Sequence, residues 1–429
     1  MPASSLRKVA IVGGARIPFC RSNGRYAKQS NQDLLTGALT AVVNKYELAG
    51  KQLGEVAAGA VLKHSRDFNL TRESVLSSGL APTTPAYDVQ QACGTSLETA
   101  ILVGNKIATG QIECGIAAGT DTTSDAPIAL NNRLRKILLE ANRARSAGER
   151  FKALARIRPG HIVPDFPAVA EPRTGLSMGE HCELMAKHWQ ISREAQDELA
   201  VASHHKAAEA YTNGFFDDLV VEHAGVKRDD NLRADTSVEA MAKLKPAFDK
   251  QSGTLTAANS TPLTDGASAV FLASEEYAQA NGLPVLAYLT EFSTTAAVDF
   301  VNGDEGLLMA PAYAVPRMLE RAGLTLQDFD FYEIHEAFAA QVLCTLKAWE
   351  SKQYCVDRLG LSDALGEIDR SKLNVKGSSL AVGHPFAATG TRILGTLAKI
   401  IDDNGGGRGL ISICAAGGMG VTAIVERAD

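Results

Sequence analysis

Short apolar runs alternate with segments of helical period along most of this chain, in two successive sets, and that rhythm restricts the folds open to it more than any other feature. Val9–Val12 read as a buried strand, and Asp33–Tyr46 follow with Leu34, Leu35, Ala38, Leu39, Val42 and Val43 at helical spacing. Glu55–Leu62 and Ala86–Gln90 read as strands, Leu97–Thr109 as a helix and Cys114–Ala118 as a strand, so one α/β unit closes near Asp121. The rhythm resumes around Thr254–Ser274. A second set runs through strand Ala287–Glu291, helix Ala312–Ala322, strand Asp330–Ile334, helix Ala337–Trp349 and a glycine-rich turn and helix at Gly383–Ile401 to a final strand pair. Such alternation predicts an α/β fold of two weakly repeated halves.

Between the sets the rhythm stops. Asn131–Arg158 is a basic stretch in which Arg133, Arg135, Lys136, Arg143 and other cations are opposed only by Glu140 and Glu149. Two helices follow at Met178–Trp189 and Arg193–Asn213, the second with Ser192 placed to cap it. This segment predicts an inserted, helix-rich lobe.

With 429 residues, 45% hydrophobic and 21% charged, the chain has enough apolar content for an extended core. A net charge of −6 and a pI near 5.9 argue against a surface built to hold nucleic acid. Seven cysteines without regular spacing and without a CxxC pair suggest neither a disulfide framework nor structural zinc, and point to a reducing compartment. In MPASSLRKVAIVGGARIPF the apolar run is too short for a signal-peptide core, and no later run has the length of a membrane span. The expected location is the cytoplasm.

Four residues stand where a chain of this class places chemistry. Cys93 follows a predicted strand and precedes a helix, where amide N–H groups and the helix dipole favour a thiolate; Gly94 beside it would let a substrate carbonyl approach. His384, fixed between Gly383 and Pro385 at a helix start, suits a neutral base or hydrogen-bond donor. Cys414 runs into a glycine-rich turn, and His335 sits at another strand-to-helix switch, the edge at which open α/β sheets bind ligands. Each residue alone also fits a structural role: a small buried cysteine, a helix cap or a satisfied strand end.

Taken together, these segments resemble the signature blocks of the thiolase family: Cys93 in QQACGTS, His335–Phe338 as the N/H-E-A-F block, Gly383–Pro385 as G-H-P, and Cys414–Gly418 as C-x-x-G-G. Met178-Gly179-Glu180 and the segment from Asn259 through Ser260 and Thr261 to Ala267 resemble the family's lobe and core segments, so the likeness covers nearly the whole chain. The resemblance implies a five-layer sandwich of two similar βαβαβαββ halves with an inserted loop domain. The halves would comprise residues 1–124 with 254–280, and 281–429, around a lobe at 125–253. It implies an acetyl-CoA C-acyltransferase that cleaves 3-ketoacyl-CoA with coenzyme A in fatty-acid β-oxidation, needing no metal and no cofactor beyond CoA as substrate.

Carried over by position, Cys93 is the nucleophile, His384 its base and Cys414 the second acid/base. His335 would position a water, and the amides of Cys93 and Ala416 would hold the oxyanion. Met178, Ser260, Thr261 and Phe338 would line the substrate. The family also implies a homodimer or tetramer. Three positions depart from its commonest pattern. His335 stands where many members carry Asn, which resembles the β subunits of trifunctional fatty-acid oxidation complexes. Ser177 stands where acetoacetyl-specific members carry His, and Ala387 where Gly is usual. The long segment Tyr354–Lys372 also resembles the trifunctional β subunits, implying an enoyl-CoA hydratase/3-hydroxyacyl-CoA dehydrogenase partner. Competing readings are biosynthetic condensation of two acetyl-CoA, a carrier-protein ketoacyl synthase, which lacks a counterpart of Cys414, and a silent acyl-CoA-binding scaffold. The basic run Arg133–Arg158 fits CoA phosphates, a partner or anionic membrane surface, or a solvated helix face.

Overall fold

The computed structural model describes residues 6–427. Met1–Ser5, which open the basic-then-apolar stretch, and residues 428–429 lie outside it, and with them the two ends of the predicted halves. Among the described residues there are eleven strands: β1 Val9–Arg16, β2 Cys20–Arg21, β3 Glu55–Ala58, β4 Ala86–Asp88, β5 Cys114–Asp121, β6 Thr264–Ser274, β7 Ala287–Leu289, β8 Thr294–Ala297, β9 Phe331–Ile334, β10 Gly407–Ala415 and β11 Met419–Arg427.

The main path of the sheet is β4-β3-β5-β6-β1-β7-β11-β10-β9. Its two ends mirror one another. β3 runs parallel to β5, which pairs antiparallel with β6; β9 runs parallel to β10, which pairs antiparallel with β11. The halves join where β1 meets β7, Val9 opposite Leu289 and Ile11 opposite Ala287. The predicted repeat is therefore visible as strand order, with the two half-sheets hydrogen-bonded into one.

The side-chain alternation of the strands separates the layers. Ala10 and Val12 of β1 pack with Leu34, Leu35 and Ala38 of helix Asn31–Lys45 on one outer face. Val9 and Ile11 face the other way, onto helices Thr95–Ala108 and Thr389–Asp403, and Ile411 and Ile413 of β10 press on the same pair of helices from the second half. Leu410 turns outward onto Val315 and Val342 of helices Ala310–Ala322 and Ala339–Glu350. Helix, sheet, helix, sheet, helix is the five-layer order expected.

Several ends differ from the sequence reading for local reasons. The predicted strand Glu55–Leu62 stops at Ala58, because the amides of Val61 and Leu62 are bound by the Asp121 carboxylate instead of a neighbouring strand. The strand expected to reach Gln90 ends at Asp88. Helix Leu70–Ser77, which sequence periodicity did not indicate, starts where the Asp88 carboxylate accepts from the amides of Leu70 and Thr71. Helices Met178–His188 and Arg193–Thr212 form as predicted, Ser192 accepting from the amide of Ala195. From residue 122 to 263 the chain leaves the sheet for a helical lobe, whose basic run forms helices Asn132–Arg143 and Ala147–Leu154, with the short helix Pro159–Ile162 just after it. Among the described residues no helix is long and apolar enough to cross a membrane.

Candidate active site

Cys93 sits on a strained elbow. After β4 the chain turns through Ala92 at φ +47°, a left-handed conformation that costs a non-glycine residue energy and is held there by its surroundings. Thr95 provides the hold, its hydroxyl accepting from the Gln91 amide at 2.8 Å and donating to the Ala92 carbonyl at 2.7 Å. The glycine at 94 also serves packing: a Cβ there would meet Val421 Cγ2 at 2.8 Å.

His384 Nε2 lies 3.1 Å from Cys93 Sγ. Gly383, at φ +103°, turns the chain so that the His384 amide donates to Thr264 Oγ1 at 2.8 Å, while Nδ1 is 2.5 Å from Thr389 Oγ1. Burial drives the imidazole down to about 3, helped by the charge of Arg392, so the ring is neutral. In the tautomer that donates Nδ1–H to Thr389, the Nε2 lone pair faces the thiol, and this is the form that can take its proton. The thiol is also neutral. Burial pushes it up to about 12, overriding the amides of Ala416 and Cys93 itself, which are directed at the sulfur and favour the thiolate. The pair is thus a thiol beside a neutral imidazole, the state from which His384 can take the proton, with desolvation outweighing the helix terminus and amides that favour the thiolate.

Cys414 ends β10 and is buried; burial raises its thiol far above the ordinary range, and the charge of a Cys93 thiolate adds to this. It packs in an apolar cluster with Phe338, Met178 and Phe300. Gly417 and Gly418, at φ +79° and +70°, fold the following turn back so that the Ala416 amide reaches Cys93. The Gly417 amide donates to Glu171 Oε1 at 2.6 Å. Glu171 belongs to the lobe, and nothing in its local sequence marks it.

His335 directly follows β9, its ring tilted 50° to that of His384 with centroids 4.1 Å apart. Nδ1 lies 2.8 Å from Ser379 Oγ, and Nε2 is buried without a partner among the described residues. Glu336 beside it takes hydrogen bonds from Ser203 Oγ, Asn374 Nδ2 and the Leu380 amide, fastening the lobe to the strand end. Ligand atoms of Cys93, His335 and His384 lie within 4.8 Å of one another, a geometry that could bracket a soft cation.

The residues expected to line substrate are less uniform. Met178 and Phe338 reach the Cys414 cluster. Ser260 bridges to Phe338 with its buried hydroxyl unpartnered, and borders a cleft with Arg21, His204 and Arg233. Thr261 is already engaged, its hydroxyl donating to the Ala337 carbonyl at 3.0 Å.

Residues 9–276 match the thiolase N-terminal domain family and residues 283–427 the thiolase C-terminal domain family. The chain belongs to the thiolase family. It is 43% identical to the 3-ketoacyl-CoA thiolases of Shewanella baltica (strain OS155) and Shewanella putrefaciens (strain CN-32), in each case over 98% of this chain and 97% of the relative. Among solved structures it resembles human mitochondrial 3-ketoacyl-CoA thiolase in complex with CoA, with a TM-score of 0.80 and 27% identity, covering 98% of each chain. The Bacillus anthracis acetyl-CoA acetyltransferase gives the same TM-score at 29% identity, covering 99% of this chain and 100% of that one.

The departures from the commonest thiolase pattern can now be placed. Ser177 is an N-cap: its hydroxyl accepts from the Glu180 amide and its own amide donates to the Glu180 carboxylate at 2.7 Å, leaving nothing to offer substrate. Ala387 is fully buried in a short turn, Phe386–Ala388, its amide donating to Asp121 at 2.9 Å. Its methyl is accommodated at an ordinary φ. Close approach is permitted instead by Gly119, where a Cβ would lie 2.0 Å from the Ala387 carbonyl oxygen.

Proposed function

We propose that this chain cleaves 3-ketoacyl-CoA with coenzyme A, giving acetyl-CoA and an acyl-CoA two carbons shorter, as the degradative step of fatty-acid β-oxidation. The observation that carries the reading is the 3.1 Å contact between neutral His384 Nε2 and the Cys93 thiol, with the Ala416 amide aimed at the same sulfur.

In the first half-reaction the Cys93 proton passes to His384 Nε2 and the sulfur adds to the 3-keto carbon, its oxyanion received by the amides of Cys93 and Ala416. The C2–C3 bond then breaks. The electron pair goes to an acetyl-CoA enolate, whose oxygen lies towards His384 and His335, and Cys414 protonates C2. In the second half-reaction the Cys414 thiolate takes the proton of incoming CoA, whose sulfur attacks the acyl group on Cys93. Cys93 leaves as thiolate and recovers its proton from His384. The cleft bordered by Ser260, Arg21, His204 and Arg233 fits the phosphate-bearing part of CoA by its charge.

The same reading divides the chain into an N-terminal half, 1–124 with 254–280, a lobe, 125–253, and a C-terminal half, 281–429. It assigns a homo-oligomer and a cytoplasmic location. A hydratase/dehydrogenase subunit is the proposed partner, reached through surfaces such as Tyr354–Lys372. The lobe, where Phe151 within the basic run and Ile162 and Phe166 just beyond it are exposed, suits contact with such a subunit or with an anionic membrane.

The test is CoA-dependent loss of the enolate absorbance of acetoacetyl-CoA and of a long-chain 3-ketoacyl-CoA, with Cys93→Ala as control. Cleavage of the long chain by the wild type and by no detectable route in the mutant is expected. Turnover of acetoacetyl-CoA alone would favour a short-chain or biosynthetic enzyme, and turnover of neither a scaffold.

A further inference from the structure

Arg392 is buried in helix Thr389–Asp403, and among the described residues no carboxylate lies within ion-pair distance of it. The charges of Glu333 and Glu336 act on it only from beyond that distance, so a buried cation placed here calls for an account. Its Nη1 donates to Ser378 Oγ at 3.1 Å and its Nη2 to Ser379 Oγ at 2.7 Å. A guanidinium can only donate, so the hydroxyl hydrogen of Ser379 must find a different partner. The other neighbour of Ser379 Oγ is His335 Nδ1, at 2.8 Å. Buried hydroxyl hydrogens go to an acceptor in reach, which makes Nδ1 the acceptor of that bond. A neutral imidazole that accepts at Nδ1 carries its proton on Nε2.

His335 is held neutral by its surroundings: burial, then the nearby His384 and the charge of Arg392, all oppose a second proton. Its ring therefore has one proton to place, and the two tautomers would present opposite faces. With Nε2–H it offers a donor; with bare Nε2 it offers a lone pair, which repels an oxygen gaining negative charge. Nε2 is buried and unpartnered, on a ring 4.1 Å from that of His384. An asparagine at this position would donate through its amide with no tautomer to set. A histidine needs the setting, and Arg392 with Ser379 supplies it.

We infer that Arg392, acting through Ser379, is a positioning residue that fixes the tautomer of His335 so that its Nε2–H is presented to the thioester oxygen of the substrate, directly or through one water. The ligand named here rests on the function proposed above; the tautomer does not. The soft-cation geometry at Cys93, His335 and His384 is correspondingly disfavoured, since a protonated Nε2 has no lone pair to give a metal.

The direct test is 15N NMR of the full-length protein with ring-labelled histidine and no substrate, His335→Gln identifying the His335 signals. A protonated-type Nε2 and an acceptor-type Nδ1 are expected in the wild type, and a mixture of tautomers in Ser379→Ala. In turnover, Ser379→Ala should lower kcat at least ~10-fold while leaving KM for CoA within about twofold. The same substitution in a His335→Asn background should cost less than about threefold, because the amide needs no relay. A wild-type His335 with its proton on Nδ1, or an equal penalty for Ser379→Ala in both backgrounds, overturns the inference. If the wild type cleaves no 3-ketoacyl-CoA, the functional reading fails and the NMR result still decides the tautomer.

Discussion

At Cys93 the helix terminus and the backbone amides favour charge on the sulfur, and burial opposes it. Burial wins, leaving a thiol pushed up to about 12 next to an imidazole driven down to about 3. The proton then moves only when a carbonyl carbon is in place to take the sulfur. Free-enzyme reactivity should show this. The rate of alkylation of Cys93 by iodoacetamide is expected to climb continuously with pH through the neutral range, because only the thiolate reacts. An acid-side plateau below about pH 7 would mean a standing thiolate–imidazolium pair, and the neutral-pair assignment would be abandoned.

Among the elements, the elbow between β4 and helix Thr95–Ala108 has to pass close beneath β11. Gly94 makes that approach possible, since a methyl there would stand 2.8 Å from Val421 Cγ2. Gly94→Ala should therefore destabilise the fold by ~1–3 kcal/mol in denaturant unfolding, and Val421→Ala in the same chain should recover part of the loss. If Gly94→Ala unfolds like the wild type and abolishes turnover alone, the glycine serves substrate access and the packing account is wrong. The elbow also marks the limit of what the sequence makes legible. Strands and helices with strong periodicity, such as β1, β10 and helix Arg193–Thr212, stand close to where their patterns put them. So do Cys93, His335, His384 and Cys414, because each lies at a strand end or glycine-rich turn that local residues announce. What was not legible depends on partners remote in sequence. Helix Leu70–Ser77 is capped locally by Asn69 but braced by Asp88, β3 is cut short by Asp121, and Glu171 reaches the Gly417 amide from 246 residues away. The Asp121 and Glu171 pairs, 60 and 246 residues apart, fall in no local window of sequence.

Across the whole molecule, the lobe and both halves are tied together by buried polar links: Arg16 to Asp229 at 2.6 Å, Glu171 to Gly417, and Ser203 to Glu336 at 2.7 Å. Glu333, on β9 next to this network, differs from them in that neither carboxylate oxygen has a partner among the described residues. Burial pushes it up to about 8, against an ordinary value of 4.5, although the charge of Arg392 pulls the other way. A carboxyl whose folded value is raised favours folding while the unfolded chain also keeps its proton. As pH rises past 4.5 the unfolded chain ionises and the folded one does not, so stability falls until about pH 8, above which both are charged and the loss stops growing. Glu333→Gln keeps the shape and removes the titration. The thermal midpoint of the wild type, measured against that variant, should drop progressively from about pH 5 to about pH 8 and run parallel beyond it. Parallel curves over the whole range would mean that Glu333 is already ionised at acid pH, paired with the Arg392 guanidinium, and Arg392 would then be the anchor of a buried ion pair as well as a donor to Ser379.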